Sequence, residues 1–532
     1  MVRVRQRSLA FLRAPALHAA LAGFVSALGQ APWGLWPLTL VALAVVMLVV
    51  ARAPGPSAGF WCGWAAGAAG FGLAMVWIIE PFFVEPDRHA WMAPFALILM
   101  AGGLALFWGL AAAFAVWAVR AMVARLWLFA LGMLAMEALR GHIFTGLPWA
   151  MLGHIWIDTP LAQLAALSGA LGLSALALGL SAGVATLWLR LRRGQQVRAV
   201  LVGLVMLAVA GGGWFWGHAR LEAPGPEDRA LRLRLVQPNA PQALKWDRHF
   251  AEMFYYRHLD LTAAASADGR APDVVIWSET SVPFFLDNPM DGLRLASEAA
   301  GGAALILGIQ RREAGPGGGV QYFNSMAVLD AAGDLEAVYD KHHLVPFGEY
   351  VPVLGPLAEW LGLDWVSGFA AQALAGYTAG PGPRLLDLGE RGRVLPLICY
   401  EAIFPRHLRT AQRPDWILQI TNDAWFGEWI GPFQHLAQTR LRAIEQGLPV
   451  VRAANTGVSA VIDARGQIAQ ALGLNEMGHV DADLPGVLEP TIYSRFSDTL
   501  WHLLLLAGVL AALVRGLREN RLTRRAQRAS RI

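Results

Sequence analysis

The chain has 532 residues, 56% apolar and only 15% charged, with a formal net charge of +4. That balance excludes a disordered chain and departs from a soluble globular one, and scattered arginine clusters beside apolar runs argue for a membrane rather than a nucleic-acid partner. Two cysteines, Cys62 and Cys399, exclude a disulfide scaffold, and no spacing resembles a zinc site, so no metal and no cofactor is expected.

Apolar residues fill 14–217 and return at 499–514. Runs at 14–31, 34–51, 57–79, 90–119, 122–139, 160–189, 199–217 and 499–514 predict about eight transmembrane helices, their Gly and Ala content suiting close packing in lipid. Arginines gather at the N-terminus (Arg3, Arg5, Arg7, Arg13), at Arg52, in the Arg120–Arg125 turn, in the Arg190–Arg198 loop and in the tail from Arg515 to Arg531. The positive-inside rule puts that side in the cytoplasm. Seven spans then leave the following domain on the outer face, and an eighth returns the tail. The expected organisation is a membrane domain over 1–219, a globular domain over 220–490, and a last span with a basic tail over 491–532. The Trp-, Phe- and Pro-rich loops Glu80–His89 and Gly141–Pro160 read as an interfacial aromatic belt in preference to a direct substrate role. Glu137 and Arg140, three residues apart near the end of the fifth span, read as structural partners.

The globular part alternates short apolar runs with helical stretches. Strands are predicted at Leu231–Gln237, Val274–Trp277, Ala304–Ile309, Ser325–Leu329, Val394–Ile398, Trp416–Ile420, Val450–Ala454 and Ala460–Asp463, and a helix over His435–Gln446 stopped by Gly447. Interleaved strands and helices mean α/β or a layered α+β sandwich.

Cys399 follows a strand and precedes a turn, where a thiol can present itself with backbone amides beside it. Trp277-Ser278-Glu279-Thr280 and Tyr339-Asp340-Lys341-His342-His343 offer a carboxylate and an ammonium at two other strand ends. If the three converge on one sheet edge, Glu279 can take the thiol proton, and Lys341 can lower the thiol pKa and stabilise an oxyanion. Taken singly, each charge is an ordinary surface group and a lone thiol is ordinary core.

These three segments, in this order, resemble the Glu-Lys-Cys triad of the nitrilase superfamily. Trp277–Pro283, Lys341–Pro352, Ile398–Pro405, Gln419–Gly457 and the membrane segment Pro32–Leu38 resemble, more narrowly, the apolipoprotein N-acyltransferase family. The resemblance spans nearly the whole chain and implies a polytopic α-helical membrane domain with an outer α-β-β-α nitrilase-like sandwich. It implies Cys399 as nucleophile, Glu279 as base and Lys341 as oxyanion stabiliser, with Trp246, Asn324, Glu349, Tyr400 and Glu401 at the substrate. His342 and His343 read as local solvation. The implied reaction moves an acyl chain from a phospholipid, expected to be phosphatidylethanolamine, to Cys399 as a thioester. It then passes to the α-amino group of a diacylglyceryl-cysteine at a lipoprotein's N-terminus. The implied location is the bacterial inner membrane with the catalytic domain periplasmic; nucleic acid is not a partner.

Two other readings stand beside this one. A membrane-anchored amidase or hydrolase fits the triad but leaves seven spans unexplained. A transporter with an outer domain would carry charged or broken helices at mid-membrane and internal repeats. Finally, the run 355–376, with Trp360, Leu361, Leu363, Trp365 and Phe369 between bracketing glycines, is expected to form a lid over the acyl chain rather than a core helix.

Overall fold

The structure, a computed structural model, describes residues 2–315, 319–350 and 376–529. The expected lid run therefore lies outside the described residues, apart from Gly376. The chain divides into two compact units: 1–223 with 429–437 and 491–532, and 224–428 with 438–490.

The first unit is helical. Its long helices are α1 (Val2–Ser26), α2 (Trp36–Ala51), α3 (Pro56–Ala74), α4 (Ala93–Ala118), α5 (Met122–Arg140), α6 (Ala165–Arg192) and α7 (Gln196–Glu222), with Thr499–Ala529 closing the chain. Among the described residues, five stretches are long and apolar enough to cross a membrane: Pro86–Ala118, Met122–Arg140, Pro160–Arg192, Gln196–Glu222 and Thr499–Glu519. Pro56–Ala74 with Val76–Phe83, bent by 47°, would make a sixth. Ala14–Gly29 and Trp36–Ala51 are apolar but shorter, so the expected eight is reached only if both count as spans. Small residues bring α3 and α4 together: a Cβ on Gly63 would lie 2.6 Å from the Trp108 carbonyl oxygen, so the two backbones nearly touch.

The 141–160 loop differs from the predicted belt. Phe144 is exposed, but Trp149 and Trp156 are fully buried. The ring of Trp149 lies 4.6 Å from that of Trp77, and its indole N–H donates to Gln434 at 2.6 Å. Glu137 and Arg140 hold this loop: Glu137 accepts from the Leu152 N–H at 2.9 Å, and Arg140 donates to the carbonyls of Leu147 (2.7 Å) and Trp149 (2.6 Å). Buried backbone polar groups need such partners, and in lipid the need is strictest.

Among its described residues the second unit holds two six-stranded sheets. One has the order β12-β1-β2-β3-β4-β5, from β1 (Arg229–Gln237), β2 (Val274–Trp277), β3 (Ala304–Ala314), β4 (Val320–Leu329), β5 (Leu335–Asp340) and β12 (Gly478–Leu484). The other has the order β11-β10-β9-β8-β7-β6, from β6 (Leu386–Asp387), β7 (Arg393–Ile398), β8 (Trp416–Thr421), β9 (Val450–Ala454), β10 (Ser459–Ile462) and β11 (Ile468–Leu472). The sheets pack face to face, β1 against β9 and β10 and β4 against β7. On the outer side of the first sheet, α8 (Ala251–Ala263) and α9 (Gly292–Ala300) bury Tyr255, Ala296 and Ala300 against Val275, Trp277, Leu305 and Leu307. On the second sheet, α10 (Gly431–Gln446) reaches β8 and β9 through Thr439 and β10's following turn through Arg440. This is the α-β-β-α sandwich the resemblance implied.

Candidate active site

Each triad segment leaves its strand on a bend. All four residues of β2 are buried, and the chain turns at Glu279-Thr280, with Thr280 at φ 46°. The turn is possible because Gly308 on β3 lies beneath it. Gly308 donates to the Ser278 carbonyl at 3.2 Å and accepts from the Ser281 N–H at 2.7 Å. A Cβ there would fall 2.6 Å from the Glu279 Cα. Lys341 follows β5, its N–H donating to the Asn324 carbonyl at 2.9 Å. Cys399 follows β7 at φ 51°, a conformation costly for a non-glycine residue and common at functional sites. Glu279 and Lys341 thus leave the first sheet and Cys399 the second. The three come from two facing sheets, not from one sheet edge as the sequence suggested.

The side chains converge in the interior. Lys341 Nζ lies 3.4 Å from Glu279 Oε1 and 2.9 Å from Glu349 Oε1. Asn324 Nδ2 donates to both carboxylates, at 2.7 Å to Glu279 and 3.0 Å to Glu349. The Asn422 N–H holds the other Glu279 oxygen at 2.9 Å, and the Val345 N–H the other Glu349 oxygen at 2.8 Å. Both carboxylates are therefore fixed in orientation. Lys245, also buried, donates to the Glu279 carbonyl and to Thr280 Oγ1, each at 3.0 Å. Burial pushes its ammonium down to about 8, with Glu279 opposing.

Cys399 is buried, and desolvation drives its thiol well above the ordinary range; Glu279 pushes the same way and Lys341 opposes. The sequence reading had Lys341 lowering the thiol pKa, and it does act in that direction. Burial and the carboxylate outweigh it, so the resting nucleophile is a thiol. Burial also works against the charged form of Lys341, but Glu349 and Glu279 overcome it and hold the ammonium well above its ordinary value. The resting site thus sets a neutral thiol beside the Lys341 ammonium and its two carboxyl partners, and proton removal must accompany attack.

Glu401 and the histidines take different places from those expected. Glu401, read as a substrate contact, is completely buried and bonded inward. It accepts from the N–H groups of Ile398 (2.8 Å), His342 (2.8 Å) and His343 (3.1 Å), and from the Tyr339 hydroxyl at 3.1 Å. His342 Nδ1 lies 2.6 Å from its carboxylate. One carboxylate therefore ties the residue before Cys399 to the two after Lys341, and His342 belongs to that knot rather than to solvent. The sum of these bonds, with His342 first among them, outweighs burial and lowers the Glu401 pKa. His343 packs 4.2 Å from Phe404 and 4.9 Å from His407. Burial lowers the pKa of these two imidazoles to about 4 and about 3, so both are neutral.

Trp246 is 45% exposed, with Lys245 Nζ 5.5 Å from its ring centroid. Tyr400 is buried beside Phe404 and His343. Asn422, Gly308 and Lys245 had no assigned role from sequence. Asn422 lay inside a quoted motif; Gly308 and Lys245 act through contacts that no spacing rule announces. Among the described residues no group of side chains could hold a metal ion.

Sequence comparison places two families on the chain: "Apolipoprotein N-acyltransferase N-terminal domain" over residues 22–183 and "Carbon-nitrogen hydrolase" over 232–493. Curated relatives include an apolipoprotein N-acyltransferase from Caulobacter vibrioides, 38% identical over 518 residues and covering 94% of each chain. Another, from Rhizobium rhizogenes, is 36% identical over 520 residues, covering 94% of this chain and 96% of the relative. Among solved structures, an amidase from Nesterenkonia sp. is 19% identical, covers 52% of this chain and 97% of its own, and superposes with a TM-score of 0.34.

Proposed function

The chain belongs to the apolipoprotein N-acyltransferase family, and from that premise we propose how its own residues carry out the transfer. It is a membrane-bound acyltransferase of lipoprotein biosynthesis, with lipid and lipoprotein substrates. The proposed donor is phosphatidylethanolamine. The proposed location is the inner membrane with the catalytic unit periplasmic, as the arginine distribution supports.

In the first half-reaction Glu279 takes the Cys399 proton as sulfur attacks the ester carbonyl carbon of the phospholipid. The tetrahedral oxyanion is met by Lys341 Nζ and the Tyr400 N–H. Collapse breaks the ester C–O bond, and the leaving glycerol oxygen takes the proton back from Glu279, giving a lysophospholipid and an acyl-thioester. In the second, the α-amine of the diacylglyceryl-cysteine attacks the thioester and passes through the same oxyanion site. Glu279 takes the amine proton and returns it to the departing sulfur. Asn324 and Glu349 hold Lys341 and Glu279 apart and aligned, and Trp246 lines the approach.

The observation that carries this reading is the buried carboxylate–ammonium pair, 3.4 Å apart, both oxygens of the base fixed by Asn324 and Asn422, in electrostatic contact with the one cysteine of this unit. The test is covalent capture. With phosphatidylethanolamine alone, Cys399 should gain one acyl mass that neutral hydroxylamine removes. Cys399→Ala should gain none, and Cys399→Ser should fail because an alkoxide is far harder to form beside the same base. Acyl mass on another residue, or activity in Cys399→Ala, ends the proposal.

A further inference from the structure

Behind the nucleophile lies a second buried polar cluster that the transfer steps above leave unused. Gln419 sits in the middle of β8, between Leu397 of β7 and Arg452 of β9. Strand alternation puts Gln419 and Thr421 on one face, with Leu418 and Ile420 on the other. The Gln419 side chain is completely buried, and its Nε2 donates to the carbonyl oxygen of Cys399 at 3.2 Å. Its Oε1 accepts from Thr439 Oγ1 on α10 at 2.7 Å and from Arg452 Nη1 at 2.6 Å. Two donors on that oxygen leave the amide one orientation, with the NH2 toward Cys399. Arg452 is in turn fixed, its guanidinium paired with Asp423 and its Nε donating to the Val458 carbonyl at 3.2 Å. Asp423 also accepts from Thr421 at 2.9 Å, and Thr421 hydrogen-bonds the Cys399 side chain.

A peptide unit is planar and trans, so the Cys399 carbonyl and the Tyr400 N–H point in opposite directions within one rigid plate. Whatever holds that carbonyl also aims that N–H. The plate needs holding, because Cys399 sits at φ 51°. We infer that Gln419 is a positioning residue for the oxyanion site: it clamps the Cys399 carbonyl so that the Tyr400 N–H faces the tetrahedral intermediate, with Thr439 and Arg452 fixing the clamp. The inference rests on the thioester reading above. It makes a demand that no purely structural role makes. Both half-reactions pass through an oxyanion, so loss of the clamp must slow both by the same factor and leave donor affinity alone.

The experiment uses the full-length enzyme in detergent with phosphatidylethanolamine and a diacylglyceryl-cysteinyl peptide. Gln419→Glu keeps the oxygen that Arg452 and Thr439 bind but turns an acceptor toward the Cys399 carbonyl. Thr439→Val leaves Gln419 in place with one of its two anchors gone. Lysophospholipid release measures the first half-reaction, and peptide-driven loss of the isolated thioester measures the second. Gln419→Glu should slow both on the order of 100-fold, the effect of about 1 Å of misplacement, with the KM for phosphatidylethanolamine unchanged. Thr439→Val should slow both roughly tenfold. Slowing of the first step alone would place Gln419 in thiol ionisation and overturn the inference, as would wild-type rates or a raised KM. If Gln419→Glu does not fold, Thr439→Val is judged by the same rule. A wild-type enzyme that forms no thioester at Cys399 removes the catalytic reading itself, whereas a proven thioester with unaffected variants removes only the clamp.

Discussion

Glu401→Gln separates a substrate contact from an internal brace. The carboxylate, itself without solvent access, holds three backbone N–H groups, the Tyr339 hydroxyl and His342 Nδ1. An amide presents one oxygen and one NH2. If the NH2 takes the Oε2 position it faces the Ile398 N–H; if it takes Oε1 it faces those of His342 and His343. Either way at least one buried N–H loses its acceptor, costing about 1–3 kcal/mol. The remaining bonds lose their charge assistance as well, so the total is on the order of 3–5 kcal/mol, as for a broken buried charge pair. For a domain of this size that is roughly a 10 °C fall in the melting transition of the catalytic unit. Activity should fall on the order of 100-fold in kcat, because Ile398 and His342 flank the nucleophile and Lys341. KM for either substrate should not move. There is also a pH signature. The folded-state pKa of Glu401 is depressed, so its contribution is fully present above the unfolded carboxylate value of about 4.3 and is lost as pH falls through the folded value. The gap in melting temperature between wild type and variant should therefore narrow as pH falls below about 4.3. Thermal scans in detergent and steady-state kinetics decide it. A variant with an unmoved transition and a raised KM for the acceptor would refute the brace.

Three further predictions follow from other parts of the structure. Alkylation of Cys399 by iodoacetamide should keep rising with pH through about 9, with no plateau near neutrality, because the thiol pKa is raised. Glu279→Gln should shift that curve to lower pH, since it removes a charge that opposes ionisation, while acyl transfer falls; a plateau below pH 7 in the wild type would mean a preformed thiolate. Gly308→Ala should cost at least about 2 kcal/mol of stability, and acyl transfer should fall with it, because the new methyl meets the Ser278–Thr280 backbone; wild-type stability and rate would mean the turn relaxes freely. In a background lacking both native cysteines, Ala267→Cys should react with an impermeant maleimide in intact spheroplasts and Gln196→Cys should not, and the reverse pattern would invert the proposed topology.

What was legible in the sequence was whatever shows up as a run. β2 falls on the predicted residues because it is an uninterrupted apolar stretch between breakers, and β9 does so because Val450, Val451, Ala453 and Ala454 outweigh the single Arg452 in its middle. β3 runs on from the predicted Ile309 to Ala314, because it pairs with β4 as a ribbon beyond the core, where Arg311 and Arg312 replace apolar residues. β5, β6, β11 and β12 were not predicted. All four lie at sheet edges, β11 is almost wholly exposed, and β12 carries His479, Asp481 and Asp483 in place of an apolar pattern. At the site, Glu279, Lys341 and Cys399 could be picked out because each ends a recognisable segment. Gly308, Gln419 and Lys245 could not, since what they do depends on which backbone passes beside them. Glu401 was visible but its direction was not: a glutamate two residues after a nucleophile reads the same whether its carboxylate faces the substrate or the interior.

The protonated, buried state of Cys399 also bears on its survival in the oxidising compartment proposed for this unit. Thiolates rather than thiols attack peroxides and small disulfides, and sulfenic acid forms fastest where a sulfur is both ionised and reachable. Cys399 is buried, and it is not ionised until an ester carbonyl arrives and Glu279 draws the proton away. Its unit holds no second cysteine to trap an oxidised sulfur as a disulfide. An enzyme facing an oxidising compartment, as proposed for this one, would then owe the longevity of its nucleophile to the same desolvation that slows its first chemical step.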